Sequence, residues 1–258
     1  MMPKAGQLIL IRAVLAAIPL HQLIVLYLNK KALKQVNKIL RGFLWVGRKE
    51  AEGGHYHVNW ARPICFGGLG IPNLARTATS LRTRWMWRLH TDPLRPWRGL
   101  DMQFTKNERE IFFVSTTMLV GEGTTTLFWV DRWVDGKSIG EIAPDLLALI
   151  PRHARKLRTV QQAVTDRSWI SDISGAISPL ALWQYVQLWN KLRGMHLEGG
   201  PDRLVWRWTT DGQYSSKSCY YALFPIVSGS WELTWKSWAS PRVKFFICSL
   251  ARTDVGRV

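Results

Sequence analysis

Acidic residues, cysteines and long apolar runs are all scarce in this 258-residue chain, and each scarcity excludes something. Asp and Glu number 18 against 35 Lys and Arg, a formal charge of +17 that attracts polyanions and makes nucleic acid the first partner to consider. The three cysteines, Cys65, Cys219 and Cys248, are odd in number and far apart, which excludes a disulfide framework and any Cys-x-x-Cys ligand pair. A reducing, intracellular setting, nuclear or cytoplasmic, follows as the expectation. A bilayer helix needs about 20 predominantly apolar residues. The longest apolar stretch runs only from Ala13 to Leu20, so no membrane partner is expected. Nor does the N-terminus read as a signal peptide: Arg12 interrupts the run from Leu8 to Ile11, and Pro19, His21 and Gln22 break its continuation.

What the chain does have is apolar content and tryptophan. At 47% hydrophobic residues it belongs with globular proteins. Its 15 tryptophans include close pairs, Trp85/Trp87, Trp129/Trp133, Trp206/Trp208 and Trp235/Trp238, read first as core and second as stacking platforms for bases.

Periodicity predicts an α+β fold, predominantly helical with short β-hairpins. A buried helical segment spans 6–28 with Pro19 ending or kinking its first part. From Lys30 to Trp45 Leu33, Val36, Leu40, Phe43 and Leu44 recur at helical spacing, while Lys30, Lys34, Lys38 and Arg41 lie together on another, basic face. His55 to Trp60 reads as a short strand. A second helix, from about Leu74 to Leu89, carries Arg76, Arg82, Arg84 and Arg88. The pattern leaves Ile111 to Val120 open between helix and strand. Leu127 to Trp133 reads as a strand before a turn at Asp135 and Gly136, and residues 137–160 as a basic, loop-rich stretch containing a domain boundary. A helix is expected over Pro179 to Leu192, then a linker from His196 to Arg203. Leu204–Thr209 and Gln213–Ser215 flank Asp211-Gly212, a dipeptide suited to a tight hairpin turn, and Ser215 or Ser216 caps a helix from Lys217 to Phe224.

Several ordered blocks resemble plant LINE-type, non-LTR retrotransposon reverse transcriptases: KAGQLILIRAVLAAIP at 4–19, RGFLWVG at 41–47, HVNWARPIC at 57–65 and GGLGIPNL at 67–74. RWMWRL at 84–89, GEGTTTLFWVDRWVDG at 121–136, DGQYSSKSCY at 211–220 and WKSWASPRVKFF at 235–246 continue the series. The resemblance implies the region after the polymerase core, leading into that family's zinc-binding domain. It implies three parts: a helical thumb-like region over 1–120, a mixed connector over 121–200, and over 201–258 a zinc-binding-like module truncated before its ligands. The family's Tyr-x-Asp-Asp type motif, whose aspartates hold catalytic metal ions, has no counterpart here, and no paired-aspartate hairpin replaces it. Its Cys-x-x-Cys, His and Cys zinc ligands follow the Lys-Phe-Phe block and are not reached, the tail from Ser249 departs from the pattern, and the loop between Cys65 and Gly67 is short. No cofactor, catalytic residue or metal site is therefore expected.

Other chemistries find little support. His55, His57 and Cys65 are zinc-compatible types at a spacing that fits no common site. Gly67, Gly68 and Gly70 lack the GxxxxGK[ST] arrangement of a phosphate loop, and Asp131 and Asp135 read as turn formers and tryptophan or arginine partners. A distributed basic surface remains. Lys30, Lys34, Lys38, Arg41, Arg82, Arg84, Arg88, Arg242 and Lys244 are the expected contacts to the backbone of RNA or DNA, salt-dependent and of low specificity. The expected function is thus a retrotransposon-derived, reverse-transcriptase-like fragment that binds nucleic acid without catalysis and packs with other parts of such an enzyme. The alternatives are an inert translated relic and a domesticated protein-interaction module.

Overall fold

The computed structural model describes residues 2–25, 29–47, 63, 69–92, 102–197 and 199–224. It is an α+β fold dominated by helices, with two antiparallel sheets of two strands each among the described residues. The expected strand at His55 to Trp60, the trio His55, His57 and Cys65, and Arg242 and Lys244 lie outside the described residues. No helix among the described residues is long and apolar enough to cross a membrane. Contacts divide the chain into one unit of residues 1–82 and 219–258 and a second of 83–218.

The first unit is built from helices. α1 (Lys4–Leu10) runs into a π-helical turn, Ile11–Leu15, and the chain turns through Ala16–Pro19 before α2 (Leu20–Val25). The break falls where Pro19 was expected to interrupt the helix, because proline offers no N–H and clashes with the preceding turn. α3 (Lys30–Val46) starts at Asn29, whose side chain accepts from the Ala32 N–H at 2.7 Å, and stops at Gly47. Its apolar stripe places Leu40 and Leu44 against Ile11 and Ile71, with Val36 and Phe43 packed alongside. Lys4 donates to the carbonyls of Leu44 and Trp45, a cation at the end of α3 where the helix dipole favours one.

The second unit holds the larger core. α4 (Leu74–Thr91) enters it from Thr83 onward, and α5 (Lys106–Ser115) begins with a capping box in which Thr105 accepts from Glu108 N–H while the Glu108 carboxylate accepts from Thr105 N–H. β1 (Thr116–Leu119) follows α5 directly, so the ambiguous stretch from Ile111 is helix first and strand second. β2 (Arg132–Val134) and β3 (Lys137–Ser138) make a hairpin around Asp135 and Gly136, both at positive φ, as their turn chemistry predicts. The strand is shorter than expected, since Phe128 to Val130 form a turn.

Residues 137–160 are not the loop-rich boundary that their basic composition suggested. α6 (Ile139–Ile142), α7 (Pro144–Ala148), α8 (Arg152–Leu157) and α9 (Val160–Thr165) are short helices whose Ile139, Leu146, Ala154 and Val160 enter one core, with Ala143 and Ile150 from the turns between them. That core also takes Phe128, Trp129, Trp133 and Trp169, and Leu188 and Leu192 of α10 (Pro179–Leu192), which has the expected bounds. Short helices escape periodicity analysis because each shows only one inward turn. β4 (Arg203–Trp206) pairs antiparallel with β1, Thr116 opposite Trp206 and Leu119 opposite Arg203, not with residues 213–215 as the local hairpin signal implied. Asp211-Gly212 does turn the chain, and Trp206 N–H reaches Gly212 carbonyl at 2.8 Å, but β1 takes the edge of β4 and α11 (Ser216–Ala222) starts at once.

Candidate nucleic-acid interface

Two groups of exposed basic side chains stand out, one in each unit. On α3 the spacing of Lys34, Lys38 and Arg41 gathers them on a face beside that of the buried Leu40 and Leu44, and all three are exposed. Lys34 bonds to no described side chain. Lys30 occupies the first turn of α3.

The α4 arginines separate. Arg82 is only 3% exposed, and its guanidinium donates to the Ile24 carbonyl at 3.2 Å within the first unit, so it serves the interior and does not face a phosphate. Arg84 is exposed, and Arg88 sits half-buried with its guanidinium 5.7 Å from the Trp85 ring. Both line a cleft of about 1220 Å³ in the second unit. α4 contributes one wall, α5 another through Arg109, Phe112 and Phe113, and β1, Leu127, Asp131, Arg203 and Tyr214 complete it.

Sequence reasoning missed Arg109 and Arg203, both exposed in this cleft. Arg109 donates to the Phe104 carbonyl from Nε and Nη2 at 3.2 and 2.8 Å, while Arg203 and Arg84 bond to no described side chain. Isolated arginines 25 or more positions apart form no run in the chain; α5 and β4 bring them together. Arg132, also in the cleft wall, is turned inward: it donates to the Val114 carbonyl at 2.6 Å, and its Nε lies 3.1 Å from Glu141 without hydrogen-bond alignment.

Two of the cleft's three acids, Asp131 and Asp202, are occupied, and Asp92 is the third. Asp202, read from sequence as part of a linker, has the densest hydrogen bonding in the molecule among the described residues. One oxygen accepts from the Gly121 and Gly123 N–H groups at 2.9 and 2.8 Å; the other accepts from Thr125 and Thr126 through both N–H and hydroxyl at 2.9 to 3.0 Å. The GEGTTT segment is therefore a nest of convergent donors, an arrangement that selects an anion. Gly121 is required by space, since a Cβ there would stand 2.1 Å from the Gly200 carbonyl oxygen, and Gly123 by its φ of 72°. Burial alone would raise the Asp202 pKa, but the donors from Gly121, Gly123, Thr125 and Thr126 outweigh it and hold the carboxyl well below the usual carboxylate range. Asp131 goes the other way: burial pushes its carboxyl up, only partly offset by the Leu127 N–H at 2.7 Å.

Tryptophans are mostly core. Trp129, Trp133, Trp169 and Trp206 are buried, Trp129 donating to Asp172 and Trp206 to Ser218. Trp183 and Trp208 are the exposed exceptions among the described residues. Of the carboxylates expected to turn the chain, Asp135 pairs with Lys191 and Asp131 with backbone. No group of three or more His, Cys, Asp or Glu positioned to hold a metal occurs among the described residues.

No family model matches the chain, and no solved structure matches it. Among curated proteins it is similar to one from Arabidopsis thaliana named "Putative ribonuclease H protein", 24% identical over 280 residues, covering 94% of this chain. The chain spans 44% of that relative's length. This corrects the resemblance drawn from the ordered blocks: the likeness found is to a protein named for ribonuclease H, and the placement as the lead-in to a reverse-transcriptase zinc-binding domain does not stand.

Proposed function

We propose that this chain is a nucleic-acid-binding part of a transposon-derived protein, non-catalytic by itself, that holds RNA or DNA through phosphate contacts with low sequence preference. The observation that carries the reading is the exposed basic face of α3 with Lys34, Lys38 and Arg41. Flexible lysines on a helix face suit a polyanion whose spacing varies, and they carry no base-edge information. The name of the Arabidopsis relative points to nucleic acid in general. The non-catalytic part rests on the sequence, where no paired-aspartate hairpin is visible.

Fluorescence anisotropy of the purified chain with labelled RNA, DNA duplex and hybrid across a salt series tests the binding. Affinity that falls linearly on a log–log salt plot, and drops when Lys34, Lys38 and Arg41 are changed together to alanine, supports the reading. Absence of binding at low salt refutes it. Nucleotide incorporation or RNA-strand cleavage by the pure chain, lost on mutation of a carboxylate, would refute the non-catalytic part.

A further inference from the structure

The cleft of the second unit differs in kind from the α3 face. Its volume of about 1220 Å³ exceeds the roughly 300–1,000 Å³ usual for a small-molecule site. Three exposed guanidiniums enter it from separate elements, Arg84 from α4, Arg109 from α5 and Arg203 from β4. Of the three acids in the lining, Asp202 is turned into the GEGTTT nest and Asp131 onto the Leu127 N–H, and Asp92 forms no ion pair with Arg84, Arg109 or Arg203, so these three cations are not neutralised by ion pairs within the cleft. Aromatic surface lies in the same cleft. Phe113 is 37% exposed, and the exposed His90 packs on Phe112 with ring centroids 5.2 Å apart at an interplanar angle of 33°.

Guanidiniums set beside partly exposed rings suit a polymer that offers phosphates and uncovered base faces together. A duplex covers its base faces by its own stacking and offers phosphates alone, whereas a single strand offers both. We infer that this cleft binds a single nucleic-acid strand, with Arg84, Arg109 and Arg203 on its phosphates and Phe113 and His90 stacking on its bases. The inference rests on the nucleic-acid reading above and adds to it a site and a strand form. The α3 face, with cations and, among the described residues of that helix, no exposed ring, meets single strand and duplex alike.

The test uses the full chain and labelled 12-nucleotide probes: oligo-U, oligo-dT and a DNA duplex of equal length. Arg84 and Arg203 are exposed and bond to no described side chain, so R84E with R203E should leave the thermal unfolding midpoint unchanged. That double variant is expected to weaken single-strand binding by about tenfold or more and duplex binding by less than about threefold. A second variant, H90A with F113L, keeps every arginine; it is expected to weaken single-strand binding by roughly tenfold with an unchanged salt slope, as loss of stacking rather than of phosphate contacts requires. Equal losses on single strand and duplex, or no loss on either single strand, overturn the inference. If binding responds only to K34A, K38A and R41A, the site is wrong and the nucleic-acid reading stands; if the unaltered chain binds none of the probes, both fall.

Discussion

Replacing Asp202 by alanine strips six hydrogen bonds from the GEGTTT loop at once. Their sum is the wrong measure, because water can reach some of the freed donors. Gly121 and Thr125 are not buried and will be solvated, whereas Gly123 is buried and Thr126 is 0% exposed. Two backbone N–H groups are thus stranded, each costing about 1–3 kcal/mol, so D202A should lose about 3 kcal/mol. With a urea slope of about 2 kcal/mol/M, the unfolding midpoint followed by tryptophan fluorescence moves down by roughly 1.5 M. The pH dependence gives an independent check. The folded pKa of Asp202 is depressed, so its stabilisation is fully present above the unfolded value of about 3.9 and is lost as pH falls further, through the folded value. The gap between the unaltered chain and D202N should be constant from neutral pH to about 5 and then close in acid. A D202A midpoint within about 0.3 M of the unaltered chain would mean that the loop is held by its other contacts, and would refute the nest as a structural keystone.

At Gly121, alanine puts a Cβ 2.1 Å from the Gly200 carbonyl oxygen, so G121A should destabilise by about 2 kcal/mol or more; a thermal midpoint unchanged from the parent would count against it. Asp172 accepts from Trp129 Nε1 and pairs with Arg158; burial opposes its charge, but these partners hold its pKa down. D172A therefore leaves a buried indole N–H and a half-buried guanidinium without partners, a loss of about 2–4 kcal/mol readable by urea unfolding. On α3, K34A, K38A and R41A together should lower the log–log salt slope on duplex DNA by about 2–3, near 0.9 per phosphate contact. An unchanged slope with weakened binding would say that these side chains act by another route.

Legibility in the sequence followed the range of the interaction. α3 and α10 were readable because each has several turns of inward apolar residues and a local stop or start, Gly47 for one and Ser178-Pro179 for the other. The Asp135-Gly136 hairpin was readable because its turn conformation is set by its own two residues. The Asp211-Gly212 signal was equally local and predicted a turn correctly, yet it misassigned the strand partner: β4 found β1 almost 90 residues away, and no local pattern encodes that choice. Capping boxes at Thr105, Ser138 and Thr159 fit the Ser/Thr-x-x-Glu/Gln pattern and start α5, α6 and α9, a local signal that the reading by hydrophobic period passed over. Asp202 was opaque for a different reason. The donors of GEGTTT are backbone groups, so the sequence shows glycine and threonine but not an anion site, and the anion comes from about 80 positions later.

Counting arginines and lysines overstates the binding surface, and the structure says which to subtract. Arg82 serves the Ile24 carbonyl, Arg132 the end of α5, Arg155 the carbonyls of Leu147 and Ile150, and Arg158 the Asp172 carboxylate. None of these, buried or half-buried as they are, is free to meet a phosphate without loosening the fold, whereas the exposed Arg109 gives Nε and Nη2 to the Phe104 carbonyl and keeps Nη1 for a ligand. The acids are committed more heavily still. Glu108 and Glu141 close capping boxes, Asp145 meets Gln184, Asp172 meets Arg158, and Asp202 fills the nest. Turning carboxylates inward onto N–H groups does not remove their charge, but it takes away their capacity to pair with surface cations. Lys34, Arg84 and Arg203 keep their charges directed at solvent for that reason, and the field they present is a consequence of placement as well as of composition.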